Sequence, residues 1–480
     1  MVVRFFRYQS LGELEKEING LSLNVSFEHD SSKVRSYLNQ PVKLGKFIAG
    51  NSIAIHPMEG CDGTLAGKPG NLTYRRYQRF ACGGAKLIWF EATAIASEGR
   101  ANPRQLLINN NNAQSFEDLV RDTKRAHKET FGTNRDLVLI LQLTHSGRYS
   151  YPAPILCTHN PYLDKITSLG FRKDGVISSE YPLISDEYLE NLEDQYTKAA
   201  KLAWEVGFTG VDIKLTHGYL GNELLSAKKR EGRYGGSLNN RTRFLRNVIK
   251  KIRGIVGADF LLSSRISVFD GVPFRLNKIH GKGEVYPYSL PYLQGFGMDE
   301  KNPLEANLNE PIKVIRMMRE SGVSLISISM GNPYTNPHIG RPFDKPDDGN
   351  YSSPEHPLIG VNRQFELCAQ VQRTFPNLPI VGAGYSWLQH WQLHAGAANI
   401  RDRKVTIMGI GRGALAYPNL PKDGLEKGIL DVRTTCKTLT FCTYLMRQKD
   451  HPLGQYPTGC PPFDKNIYGP LIKQSRSTKK

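Results

Sequence analysis

Lys214, His217 and Tyr219 fall within one short stretch of the chain. Their types suit chemistry at a carbonyl: two N–H donors for an anionic oxygen and a phenolic proton for the product. By themselves they describe a hydrogen-bonded polar strand end equally well. Val211, Ile213 and Leu215 alternate with a period of two and the pattern breaks at Gly218, so the trio is expected at the C-terminal end of a strand. In a parallel α/β barrel that end is the catalytic mouth.

Such a trio needs a rigid frame, and the periodicity of the chain supplies one. Strands are expected over Phe47 to Ile55, Lys86 to Phe90, Leu137 to Leu143, the stretch above, Phe260 to Arg265, Val323 to Ser329, Pro379 to Ala383 and Val405 to Met408. Helical spacing falls between them, over Thr73 to Ala81, Phe116 to Thr130, Asp186 to Glu205, Thr242 to Ile252, Glu310 to Glu320, Asn362 to Thr374 and Ser386 to Leu393, with Ser185 or Asp186 as a cap. Eight alternations indicate an α/β protein of the (β/α)8 TIM-barrel class rather than an open doubly wound sheet. The organisation expected is an N-terminal arm over 1–40 with a short helix from Leu11 to Ile18, a barrel over 41–425 and a C-terminal extension over 426–480. The basic end, Ser475 to Lys480, is expected to be disordered. Long connections, Tyr149 to Leu183, Ser267 to Leu308 and Gly331 to Gly360, all follow strands, so extra chain gathers on the mouth side.

Composition bounds the rest. At 480 residues and 39% hydrophobic, the chain can bury a large core. No secretory leader and no membrane-spanning run is read from it. Seven scattered cysteines describe no disulfide framework and suit a reducing compartment, so a cytoplasmic protein is expected. The net charge of +18 fits a nucleic-acid surface, a site for phosphorylated cofactors and acidic substrates, or a solvated basic face. No separate basic RNA-binding domain stands out, and no metal pattern of His, Cys and acidic residues has workable spacing.

The run His217-Gly218-Tyr219-Leu220, with Leu225-Ser226, Tyr234-Gly235-Gly236-Ser237 and Asn240-Arg241 downstream, resembles the strand-four signature of the old yellow enzyme family, flavin-dependent oxidoreductases on a (β/α)8 barrel. The resemblance extends over about residues 41 to 420 and relates the chain to the barrel of 2,4-dienoyl-CoA reductase. It implies FMN, with Pro57, Met58, Ala92, Gln142 and Arg265 around the ring. A small Ala92 would let the ring lie flat, Gln142 would meet its pyrimidine edge through donor and acceptor, and Arg265 would stabilise negative charge on the reduced ring. Phosphate would lie at the last two strand ends, at Gly384, Gly411 and Arg412, where glycines allow close backbone approach.

The same resemblance implies that NADH or NADPH supplies hydride and that Tyr219 protonates the carbon beside the one receiving it. The reaction expected is reduction of an activated C=C bond in an α,β-unsaturated carbonyl compound, acid or thioester. Two departures are plain. Lys214 stands where the family has histidine, a point charge better suited to a carboxylate; and Cys436, Cys442 and Cys460 are one thiolate short of the [4Fe–4S] site of larger relatives, so no cluster is expected. An oxidative dehydrogenase or demethylase, a flavin-binding protein without turnover, and a Schiff-base aldolase using Lys214 are the alternatives. His145 reads as structural, and Glu59, Cys61 and Asp62 as polar residues that mouth loops carry routinely. The expected partner is a small molecule, with no nucleic acid and no membrane; a homo-oligomer is left open.

Overall fold

A strand that is apolar on both faces needs cover on both, and eight such runs find it by closing on one another. The computed structural model describes residues 5–151, 153–167, 176–344 and 350–477. It joins β1 (Ile53–Ile55), β2 (Leu87–Ala94), β3 (Val138–Thr144), β4 (Gly210–Ile213), β5 (Leu261–Ser267), β6 (Leu325–Ser329), β7 (Ile380–Gly382) and β8 (Ile407–Ile410) in one closed barrel. Every neighbouring pair runs parallel in chain order, β8 pairing with β1 through Met408 opposite Ile53. The chain is a (β/α)8 barrel, with the strand ends that carry the polar residues all at one mouth.

Helices Asn71–Cys82, Ala113–Phe131, Asp186–Glu205, Arg243–Val256, Asn309–Glu320 and Pro357–Thr374 flank the strands. Local chemistry sets their ends. Ser185 Oγ accepts from Tyr188 N at 3.0 Å to cap the helix Asp186–Glu205. Gly132, at φ 76°, closes Ala113–Phe131 with its N–H on Lys128 O.

Three expectations need correcting. The stretch from Phe47 to Ile55 is two elements, parted at Gly50-Asn51-Ser52. Phe47–Ala49 pairs with Val42–Leu44 in an antiparallel hairpin turning at Gly45, φ 62°, and only Ile53–Ile55 enters the barrel. Val42, Leu44 and Ala49 pack with Trp89, Ile140 and Leu325, closing the barrel floor. The span from Ser386 to Leu393 is mostly a 3-10 segment, Tyr385–Trp391, and the α-helix is Gln392–Arg401.

The basic tail is helical through Ser477, within Lys465–Ser477, while 478–480 lie outside the described residues. Tyr468 of this helix packs with Leu445 and Tyr456, and the Arg476 guanidinium lies 5.5 Å from the Phe441 ring. The apolar spacing of Ile467, Tyr468, Leu471 and Ile472 outweighs the charge at its end. The expected long connections 149–183 and 331–360 include 152, 168–175 and 345–349, which also lie outside the described residues.

The N-terminal arm holds helices Leu11–Gly20 and Ser31–Leu38, the second packed on Gln392–Arg401 and Leu420–Lys427. The C-terminal extension returns over the mouth. Its Thr458 N–H donates to Gly60 O at 2.7 Å, and Asp464 pairs with Arg75 and Arg79. This brings the helix Phe441–Arg447 to the strand ends.

Candidate active site

The loop after β1 is held from beneath. Arg76 is buried between two carboxylates, Nη1 donating to Glu91 Oε1 at 2.8 Å and Nη2 to Asp62. Glu91 Oε2 in turn accepts the Gly60 N–H at 2.6 Å. A Cβ on Gly60 would stand on the Arg76 guanidinium, so the loop needs glycine there. The network fixes Pro57, Met58 and Glu59 at the mouth. Arg76→Met would leave two buried carboxylates without their cation, and a loss of about 3–5 kcal/mol in unfolding free energy is expected, measured by urea titration.

β2 breaks register between Phe90 and Thr93. The irregularity turns Ala92 toward the barrel axis, a common use of a bulge beside a site. Behind the wall lies Asp212 on β4, fully buried. It accepts from Gln142 Nε2 at 2.6 Å, Trp89 Nε1 at 3.0 Å and the Arg265 backbone N–H at 2.7 Å. One Nε2 proton of Gln142 is thereby committed, leaving the other and the carbonyl oxygen for a ligand.

Arg265 is partly buried, and its Nε is shielded from solvent with no hydrogen-bond partner among the described residues. Burial lowers its pKa to about 10, partly offset by Asp212, so it stays cationic at neutral pH. A cation so placed suits electron-rich or anionic ligand atoms. Gly384 sits at φ 96°, where residues with side chains are strained. At Gly411 a Cβ would find only Met58 Sδ, at 3.7 Å. A side chain there would project into open space at the N-terminus of the short helix Arg412–Ala416. Arg412 is anchored through Nη2 to Pro342 O at 2.6 Å.

All eleven residues singled out from the sequence border one cavity: Pro57, Met58, Ala92, Gln142, Arg265, Gly384, Gly411 and Arg412, with Lys214, His217 and Tyr219. Lys214 Nζ lies 3.5 Å from the Tyr219 ring centroid. Burial brings the Lys214 pKa down to about 7, against the opposing pull of Glu59. The Tyr219 hydroxyl is 3.3 Å from Glu59 Oε2 and 3.2 Å from the Tyr334 hydroxyl. Burial, then the Glu59 charge, hold its pKa well above the usual phenol range, so it is a protonated donor. His217 has a backbone φ of 68° and Nε2 lies 3.4 Å from Ser329 Oγ. Burial and the charges of Lys214 and Arg265 keep it neutral.

Several residues in this arrangement were not picked out by their sequence. Asp212 reads as one more position of a strand, and Tyr334, Arg341 and Met446 lie in segments with no period; they reach the cavity only through the fold. Glu59 carried a weak signal, as a carboxylate next to Pro57-Met58. His145 lies off the cavity, with Nε2 3.0 Å from the Tyr188 hydroxyl, and burial lowers its pKa to about 3. Cys436, Cys442 and Cys460 converge on a small pocket beside Arg412 and Leu415. Among the described residues no group of three or more His, Cys, Asp or Glu could hold a metal ion.

Comparison with known proteins agrees with this geometry. The sequence profile described as NADH:flavin oxidoreductase / NADH oxidase family matches residues 37–281. An NADPH dehydrogenase of Bacillus cytotoxicus is 27% identical over 61% of this chain and 69% of its own length. The 12-oxophytodienoate reductase 7 of Oryza sativa subsp. japonica is 31% identical over 46% of this chain, which spans only 56% of that relative. Among solved structures, the old yellow enzyme homologue of Zymomonas mobilis superposes with a TM-score of 0.57 at 21% identity, covering 82% of this chain and 94% of its own; it is like this chain in fold. With just over half the chain matched by that profile and a barrel mouth of this build, the chain belongs to the NADH:flavin oxidoreductase / NADH oxidase family of FMN-dependent oxidoreductases.

Proposed function

We propose that the chain oxidises NAD(P)H and reduces an activated C=C bond in an α,β-unsaturated carbonyl compound, acid or thioester. The observation that carries this is the Tyr219 hydroxyl, protonated and cavity-facing, with Lys214 Nζ over its ring and His217 beside it. FMN, when bound, supplies the two-electron chemistry, accepting hydride from the nicotinamide and giving it to the substrate. Met58, Ala92, Gln142 and Arg265 would hold its ring, and Gly384, Gly411 and Arg412 its phosphate.

The roles assigned to the protein's own groups follow from charge and reach. Tyr219 gives a proton to the carbon next to the carbonyl. His217, neutral, donates one N–H to the substrate oxygen. Lys214 adds positive potential there, and its ammonium suits a carboxylate or other charged head group better than a neutral ketone. Arg265 remains charged and offsets negative charge at the ring. Pro333, Tyr334 and the helix Phe441–Arg447 border the cavity on its outer side. The seven free thiols support a cytoplasmic, reducing setting; among the described residues no helix is long and apolar enough to cross a membrane.

The test is the absorption spectrum of the purified protein under anaerobic conditions. Flavin bands should bleach on adding NADPH or NADH and return on adding cyclohex-2-enone. Bands that neither nicotinamide bleaches would make this a flavin-binding protein without turnover.

A further inference from the structure

Glu59 lies in the partition between two cavities. One holds the Lys214, His217 and Tyr219 trio; the other, of about 410 Å³, is lined by Asn102, Ser150, Thr167, Gln455 and Lys449. Among the described residues Glu59, Tyr334, Met446 and Arg447 border both, and of these four Glu59 alone carries a carboxyl group. Its two oxygens face different ways. Oε2 meets the Tyr219 hydroxyl at 3.3 Å, and Oε1 is held by Asn102 Nδ2 at 2.6 Å, on the side of the second cavity. That cavity has polar side chains in a wall that is otherwise largely apolar, and it is far larger than one water molecule needs.

We propose that Glu59 resupplies the proton Tyr219 gives up, drawing it from water in the second cavity, so that hydride and proton reach the substrate from separate compartments. The inference rests on Tyr219 being the proton donor, as above. As hydride from the reduced cofactor forms the C–H bond at the β-carbon, the Tyr219 O–H bond breaks. Its proton bonds to the α-carbon and its electron pair stays on the phenolate oxygen. In the same event the protonated Glu59 carboxyl gives its proton to that oxygen and becomes carboxylate, and water in the second cavity afterwards reprotonates it. One hydride and one solvent proton add across the C=C bond, and NAD(P)H is the species oxidised.

The surroundings favour a carboxyl that can hold this proton. Lys214 and Tyr219 face Glu59 from beyond β4, Asn102 from beyond β2, Tyr334 from beyond β6, and Cys61 and Glu91 from beside and beneath its loop; Arg447 borders the same cavities. Burial raises the Glu59 pKa, and Lys214 opposes the rise. The two titrate together, so the proton belongs to the pair. Because the relay uses the protonated carboxyl, its rate falls as pH rises through the range in which the pair loses that proton.

The experiment uses the FMN-bound full chain, reduced anaerobically with NADPH and mixed with cyclohex-2-enone across a pH series. Glu59→Gln should slow reoxidation about 10²-fold, with a KM for the enone within about threefold of wild type and without the alkaline loss of rate. Glu59→Asp should recover about tenfold of that loss and restore the alkaline limb. In a Tyr219→Phe background, Glu59→Gln should cost nothing further, since groups acting in series are not additive. Should Glu59→Gln fail to fold, Glu59→Asp and the wild-type pH profile carry the comparison, and a wild-type rate with no alkaline limb overturns the relay. Unchanged reoxidation in Glu59→Gln, or an equal further loss in the Tyr219→Phe background, overturns the relay alone. A wild-type protein that no enone reoxidises overturns the proton-donor reading beneath it as well.

Discussion

Tyr219→Phe should slow enone-driven reoxidation of the reduced protein by about 10²–10⁴-fold, the range for removing a positioned general acid. The change deletes one oxygen, and the packing of the ring, 3.5 Å from Lys214 Nζ and 6.1 Å from the Tyr149 ring, has no cause to move. The hydroxyl's two contacts are the Glu59 carboxyl and the Tyr334 hydroxyl. Tyr334 does not replace it, because its ring is held by stacking on Tyr149 at 4.0 Å. Reduction by NADPH needs no proton from Tyr219 and should change by less than about tenfold, so the loss separates the two half-reactions. Anaerobic stopped-flow measurement of each half-reaction decides the matter. Equal rates of reoxidation in the two proteins would remove Tyr219 from the proton's path.

Gly411→Asp should yield a folded protein that has lost its hold on FMN, with a dissociation constant raised by at least about 10²-fold, as expected when a buried charge pair becomes a repulsion. Gly411 has a φ of −102°, outside the left-handed region, and a Cβ there meets only Met58 Sδ at 3.7 Å. The side chain would therefore enter the cavity between Gly384 and Arg412, and a carboxylate would compete for the cation that the phosphate needs. Gly384, at φ 96°, makes a poorer probe, because any substitution there also strains the backbone. Equilibrium titration of the apoprotein with FMN, followed by quenching of flavin fluorescence, gives the constant, and thermal unfolding of the apoprotein shows whether the fold is intact. Retained FMN at wild-type affinity would put the phosphate elsewhere.

The change from the usual histidine to Lys214 bears on substrate choice. With its pKa near 7, Lys214 is charged below neutrality and increasingly neutral above it. Binding of an unsaturated acid should therefore weaken as pH rises through neutrality, whereas binding of a neutral enone should not. Comparing KM for crotonate and cyclohex-2-enone over that range measures the difference. Lys214→Met should remove the dependence for the acid.

Much of this architecture is legible in the order of residues, because its signals are local. Alternating Val211, Ile213 and Leu215 mark β4, and the helix Asp186–Glu205 starts and stops where its capping serine and its period place it. Where local signals ran together, the reading failed. Phe47 to Ile55 holds two apolar triplets around Gly50-Asn51-Ser52, and only the packing of the barrel floor assigns the first to a hairpin and the second to β1. Charge dominates the end from Ser475 and suggests disorder, yet Ser475 to Ser477 continue a helix whose Tyr468 packs on Leu445 and Tyr456.

The sequence by itself determined the barrel and which residues its strand ends carry, since periodicity, glycines and caps act within a few positions of the chain. Only the tertiary structure decided what those residues face. Glu59 reaches Tyr219 across 160 positions, and Asp212 holds Gln142 across 70. Burial of such groups shifts Lys214, Glu59 and Arg265 from their ordinary protonation, an effect that exists only once the folded barrel has taken water away from them.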